Sequence, residues 1–311
     1  MNAPSPSASL PTVPARPKAA HVLTANSARL KWRKRKSALF AAVCLSTTLL
    51  AFVLLIWLLA GVWQQGAKGV SVAFLESPPS YRPTKAGIHP AVLGSLWTMA
   101  CTILFAVPIG VGAAIFLQEY SSGNSFARFV QVNIANLAGV PSIVYGILGL
   151  TLFVRVMNLG TSVLAGSLTL ALLILPIIII AAQEALRSVP SSLRDGSYAL
   201  GATRWQTIRR QVLPVALPGV LTGVILALSR AVGEAAPLLI IGAAAYIRNP
   251  PEGLLDDFTV LPIQIFNWAG HPKEEFKDLA ASGILVLLGV LLTMNALAIF
   301  LRYKFNKRIS M

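Results

Sequence analysis

Cysteine is nearly absent from this 311-residue chain, which holds two. Both, Cys44 and Cys101, fall inside apolar runs away from any polar ligand set, which argues against a disulfide framework or a thiolate metal site. Histidine is almost as scarce: His21, His89 and His271 lie in a tail and two loops without ligand spacing, so they read as solvated side chains and no metal is expected. Charge is thin as well. Charged residues make up 12% of the sequence against 55% hydrophobic, and the mean hydropathy is +0.70, a balance no ordinary soluble domain of this length keeps in solution. Acids are outnumbered by bases, 11 to 26. The bases flank apolar runs instead of forming one patch with interleaved aromatics, which points to orientation in a bilayer and away from nucleic acid. A glycine-rich phosphate cradle closed by Lys and Ser/Thr is also missing, so the chain is not expected to bind or hydrolyse ATP itself, and no cofactor is expected in it.

The long apolar runs give the fold class: an all-α polytopic membrane protein with six transmembrane helices. Residues 1–28 are rich in Pro, Ser and Ala, with little to bury. With the basic cluster Arg29, Lys31, Arg33, Lys34, Arg35 and Lys36 they make a disordered basic tail over 1–36. Segment 37–90 holds a first span, about 38–62, and its outer loop; that run is too long for the apolar part of a cleaved signal peptide. The membrane core, 91–302, carries further runs near 91–118, 133–154, 163–184, 215–246 and 279–301, each close to the roughly 20 residues that cross a hydrocarbon core. A short tail, 303–311, closes the chain. Lys and Arg of the N-terminal tail, the Arg128 loop, the 187–214 loop and the C-terminus outnumber those of the opposite loops (Lys68, Arg82, Lys85, Arg155, Arg248, Lys273, Lys277). The positive-inside rule then places both termini in the cytoplasm.

The cytoplasmic insert 184–214 is too elaborate for a passive connection, which needs only a few residues of turn. Ser192 with Asp195 reads as a capping box, Gly201 as a left-handed stop, and Thr203 with Gln206 as a second box. The prediction is helix, glycine elbow, helix: a surface built for docking.

Several spans are interrupted, by Pro108, Gly110 and Gly112, by Gly139, Pro141, Gly146 and Gly149, by Pro176 and by Pro237. Each alone is consistent with helix packing; their clustering favours a substrate path. In the outer loop 248–278 the stretch FTVLPIQIFNWAG is apolar but too short to span. It suits a segment lying flat at the interface with Trp268 and Phe266 as anchors, or a contact for an external protein.

Two charges stand inside the fifth apolar run, Arg230 and Glu234. Counted from Pro218 at about 1.5 Å per residue, they lie about 18 and 24 Å along a core about 30 Å thick. An unpartnered charge there costs about 2.5 to 3.5 kcal/mol, and spacing of four places the two on one helical face. A salt bridge facing a polar cavity is the natural solution. Arginine offers a fixed fork of donors to a tetrahedral oxyanion, with Glu234 as counter-ion when the site is empty. The alternative is an ion pair that only locks helices. Pro237 removes a helical hydrogen bond at Gly233 and is expected to let the outer end flex.

The insert resembles the cytoplasmic EAA loop of ABC-importer permeases, whose pattern is Glu-Ala-Ala, three residues, Gly, nine residues, Ile-x-Leu-Pro. Gly201, Leu213 and Pro214 match and Asp195 is a conservative change, whereas Gly196, Ser197 and Gln211 depart from it. Five segments in order, NLAGVPSIVYGILGL (136–150), LTLALLILPIIIIAAQEALRSVP (168–190), GATRWQTIRRQVLP (201–214), SRAVGEAAPLL (229–239) and LPIQIFNWA (261–269), resemble the PstA family of permease subunits from bacterial phosphate importers. That resemblance implies a type I (MetI-like) permease bundle in the bacterial inner membrane, moving inorganic phosphate inward past the Arg230 region. It also implies a PstC-type permease partner, two PstB-type ATPase subunits that bind the ATP and Mg, and a PstS-type periplasmic phosphate-binding protein. Asp195, Ala199, Leu200, Gly201, Ala202 and Thr203 are then the candidates for the ATPase contact. Rival readings are a permease for another oxyanion or small solute, a non-conducting sensory subunit, and an intramembrane enzyme, for which no His or Asp joins Arg230 and Glu234.

Overall fold

The computed structural model describes residues 27–121, 124–243 and 246–309; the predicted tail up to residue 26 lies outside them. The described chain is helical, with one isolated antiparallel bridge between Ser162 and Asp257. It divides into two units, 1–60 and 61–311. The first unit is the greater part of helix α1 (Ser27–Gly66), whose apolar side chains, Phe40, Leu50 and Trp57 among them, are exposed as a lipid-facing surface requires. The helix starts at Ser27, so the backbone of the basic cluster is already helical, and Lys36 Nζ lies 3.6 Å over the Trp32 ring.

In the second unit come α2 (Val72–Glu76) and α3 (His89–Ile115), the latter prolonged by a π-type turn, Phe116–Tyr120. Then follow α4 (Ser125–Ala138), α5 (Ser142–Gly149) with a second π-type stretch Leu150–Val156, and α6 (Val163–Arg187). The insert contributes α7 (Ser191–Ala199) and α8 (Arg204–Thr207), and a third π-type turn, Ile208–Val212, leads into α9 (Leu213–Val232). Last are α10 (Ala236–Ile241), α11 (Leu261–Ala269) and α12 (Glu275–Ile309). Five described helices are long and apolar enough to cross a membrane, six if the bent pair Ser125–Ala138 and Ser142–Val156 is one span.

That pair occupies the run expected over 133–154, and the interruption expected there is a sharp bend. The chain turns by 104° between its halves. Pro141 lacks an N–H and forces Val140 out of the helical region, so α4 stops at Ala138 and α5 starts afresh after the proline. Hydropathy is blind to that break. The run expected over 215–246 is also two helices: α9 ends at Val232, Gly233 to Ala235 are non-helical, and Pro237 sits in the first turn of α10, where its missing N–H costs nothing. Pro237 therefore starts a new helix instead of loosening an old one.

The core sits around α3, α6 and α9. Ile174, Ile178 and Leu186 of α6 are fully buried among Ala106 and Ala114 of α3 and Ala227 and Ala231 of α9. Hydroxyls join the first two helices: Thr102 Oγ1 donates to the Ser167 carbonyl and Ser167 Oγ to the Thr98 carbonyl, both at 3.2 Å. Gly146 on α5 lies so close to α10 that a Cβ there would stand 2.8 Å from Pro237 Cα, so only glycine fits. Trp268 is not the interfacial anchor expected. Its side chain is buried beside Phe74, ring centroids 5.8 Å apart, with Ile88 and Phe276, whereas Phe266 is exposed. Buried Ser95 Oγ on α3 accepts the Leu261 N–H at 2.8 Å and holds the start of α11.

Candidate functional site: a charged helix break and a docking elbow

Arg230 occupies the last turn of α9, about 25 Å from Leu213 along the helix. There the carbonyl end of the helix dipole favours a cation. Its Nε lies 3.2 Å from Glu234 Oε1. Glu234 is not on the same regular helix, as the spacing suggested, but in the break after it, where its side chain folds back to the arginine. The arginine side chain is 49% exposed and the glutamate 17%. Glu234 also lines a narrow cleft with Ser95 and Thr98 of α3, Leu170 of α6 and Leu238 of α10. A half-exposed guanidinium with Glu234 as its partner among the described residues has further donors to offer an anion, and the half-buried carboxylate competes for it.

The insert is helix, glycine elbow, helix, as its local chemistry dictates. Gly201 adopts φ +80°, its N–H bonds the Tyr198 carbonyl at 2.9 Å and Ala202 N–H bonds the Ser197 carbonyl at 3.2 Å, the paired pattern of a Schellman stop. Thr203 and Gln206 form a complete capping box ahead of α8. The box expected at Ser192 and Asp195 does not form. The helix opens two residues earlier, with Pro190 at the N-cap position and no side-chain cap, and Asp195 is an exposed residue within α7. Ala199, Leu200, Gly201 and Thr203 are exposed at the elbow and Ala202 is half-buried. Leu200 is 91% exposed. Beside it a hollow of about 500 Å³ is lined by Ser192, Gly196, Leu200, Gly201, Ala202 and Arg210.

The side-chain contacts that carry this geometry were not anticipated. Arg194 of α7 forms a two-pronged bridge to Glu119 in the π-type turn after α3, with Nη2 at 2.7 Å from Oε1 and Nε at 3.3 Å from Oε2. Two further N–H groups reach the Val189 carbonyl at 2.8 Å and the Leu186 carbonyl at 2.9 Å. The guanidinium of Arg204 lies 5.6 Å from the Tyr120 ring centroid, and Ser197 and Thr207 share a hydroxyl hydrogen bond of 2.9 Å.

Comparison with known proteins gives consistent matches. Residues 106–311 match the family described as binding-protein-dependent transport system inner membrane component. The chain is 33% identical over 268 residues to the phosphate transport system permease protein PstA of Yersinia pestis, covering 86% of this chain and 90% of that one. It is 37% identical over 252 residues to the probable ABC transporter permease protein YqgH of Bacillus subtilis, 77% and 80% covered. Among solved structures it resembles a chain of a bacterial alginate ABC transporter in complex with its pentasaccharide-bound periplasmic protein, with TM-score 0.65 and 16% identity over 90% of this chain and 99% of that one. This last likeness is one of fold.

Proposed function

We propose, from the premise that this chain belongs to the family of binding-protein-dependent transport system inner membrane components, that it forms half of the pathway by which inorganic phosphate enters the cell. The chain is a multi-pass membrane permease subunit and not an enzyme. The observation that carries the choice of phosphate is the likeness, over 86% of the chain, to a permease named for phosphate transport.

The partners in this reading are a PstC-type permease, two PstB-type ATPases holding ATP and Mg, and a PstS-type periplasmic phosphate-binding protein. Both termini and the insert face the cytoplasm, in keeping with the distribution of Lys and Arg. The ATPase grips the elbow at Leu200, Gly201, Ala202 and Thr203, with Ala199 and Asp195 on the adjoining face of α7. Arg230 meets the tetrahedral oxyanion with its free donors, and Glu234 takes the guanidinium back when phosphate leaves. A counter-ion 3.2 Å away keeps phosphate binding weak, as conduction requires, because a site that binds too tightly does not release.

The test is uptake of radiolabelled phosphate into vesicles holding this chain with those three partners, with and without ATP. ATP-dependent phosphate uptake supports the reading. Uptake of sulfate or another solute in its place refutes the choice of phosphate, and ATP hydrolysis with no uptake of any solute refutes a conducting role.

A further inference from the structure

We propose that the Arg194–Glu119 bridge is the joint through which the insert drives the spans, so that breaking it lets ATP be spent without moving solute. The inference rests on the permease reading above and adds to it a positioning pair outside both the pathway and the elbow.

Glu119 is 6% exposed and Arg194 18%, so the bridge is largely withdrawn from water. A bridge so placed persists only if its hydrogen bonds are complete. Four of the guanidinium's five N–H groups are paired, with both carboxylate oxygens and with the carbonyls of Leu186 and Val189, and the 18% of the side chain that is exposed leaves the fifth to solvent. Leu186 lies in the last turn of α6, whose terminal carbonyls lack helical partners. One planar guanidinium therefore binds α7 to the end of α3 and to the end of α6 together. A lysine, a point charge on a flexible stem, cannot hold that fixed geometry.

The third connection is Ser197 to Thr207, which ties α7 to the end of α8, from which the π-type turn Ile208–Val212 leads directly into α9. The helices so gripped, α3, α6 and α9, pack on one another through the main core. At the far end the cleft beside Glu234 is lined by Ser95 and Thr98 of α3, Leu170 of α6 and Ala231 of α9. A push on the elbow thus reaches the charged break through packed helices, and the ion pair of α7 with the end of α3 runs through Arg194, beside the contact of Arg204 in α8 with Tyr120. Without the fork, α7 keeps its hydrogen bond to α8 through Ser197 and its short covalent link to α6, and loses the ion pair that ties it to Glu119 at the end of α3.

The experiment compares Arg194→Lys, Arg194→Met and Glu119→Gln with the unaltered chain, each assembled with the partner subunits in vesicles, and reads phosphate taken up per ATP hydrolysed. The expected result is hydrolysis within about twofold of the unaltered complex and a ratio at least tenfold lower for Arg194→Met and Glu119→Gln, with Arg194→Lys between. A loss of folded complex lowers uptake and hydrolysis together and leaves the ratio unchanged. An unchanged ratio in the assembled variants overturns the proposal, as does failure of all three to assemble, which assigns the bridge to folding alone.

A readout independent of the solute keeps the two claims separable. Spin labels at Ser191→Cys and Leu104→Cys, in a chain lacking Cys44 and Cys101, report the distance between α7 and α3 before and after trapping with vanadate and ADP. That distance is expected to stay fixed on trapping with the bridge intact and to change in Glu119→Gln. Should the unaltered complex fail to take up phosphate, the choice of solute falls while this distance still decides the joint. A distance that changes with the bridge intact, or stays fixed without it, refutes the joint.

Discussion

Replacing Leu200 by alanine isolates the docking role of the elbow from the stability of the permease. The side chain is 91% exposed, so removing it takes nothing from the chain's own core, and folding is expected to change by no more than about 0.5 kcal/mol. If a partner covers the elbow, the same truncation removes three buried carbons at about 0.8 kcal/mol each, about 2.4 kcal/mol in all. At 1.4 kcal/mol per tenfold, that is a loss of about 50-fold in affinity. The assay is binding of fluorescent ATPase subunit to the permease pair in detergent, beside the melting temperature of the same samples. The expected outcome is a dissociation constant raised by about that factor with an unaltered melting curve, and a larger loss for Leu200→Asp. A change below threefold in both would show that the elbow is not the surface the ATPase covers.

Gly146→Val should destabilise the bundle by about 1 to 3 kcal/mol, because even a Cβ would stand 2.8 Å from Pro237 Cα; a lower melting temperature checks it. Ser95→Ala strips the buried Leu261 N–H of its acceptor and is expected to cost about 1 to 3 kcal/mol. Faster amide hydrogen exchange confined to the start of α11 is the signature to measure.

What the sequence made legible is what local chemistry decides. Apolar runs near 20 residues mark the spans because a bilayer imposes their length. Gly201 and the Thr203–Gln206 box were readable because each cap acts within a few residues. The expected Ser192 box failed for an equally local reason: Pro190 offers an earlier start, which a motif four residues long does not register. The bend after Ala138 and the break after Val232 were hidden by hydropathy, which scores Gly139, Pro141 and Pro237 by polarity and not by backbone restriction. Trp268 looked like an interfacial anchor because an aromatic in a nine-residue apolar helix reads the same whether it faces lipid or Phe74. Of the charged pairs, Arg230 with Glu234 stood out because both lie within one apolar run. Arg194 with Glu119 did not, since 75 residues separate them and only the folded chain brings the end of α3 beside α7.

Phosphate uptake per assembled complex for Arg230→Gln and Glu234→Gln tests most directly the claim that anions pass the charged break. Loss of charge-assisted hydrogen bonds worth about 1.5 to 3 kcal/mol predicts uptake lowered about 10- to 100-fold in Arg230→Gln. Glu234→Gln is expected to alter uptake through tighter phosphate retention, while the ATPase remains bound in both variants. Uptake unchanged by either substitution would reduce the pair to a fastening between helix and loop and contradict the account.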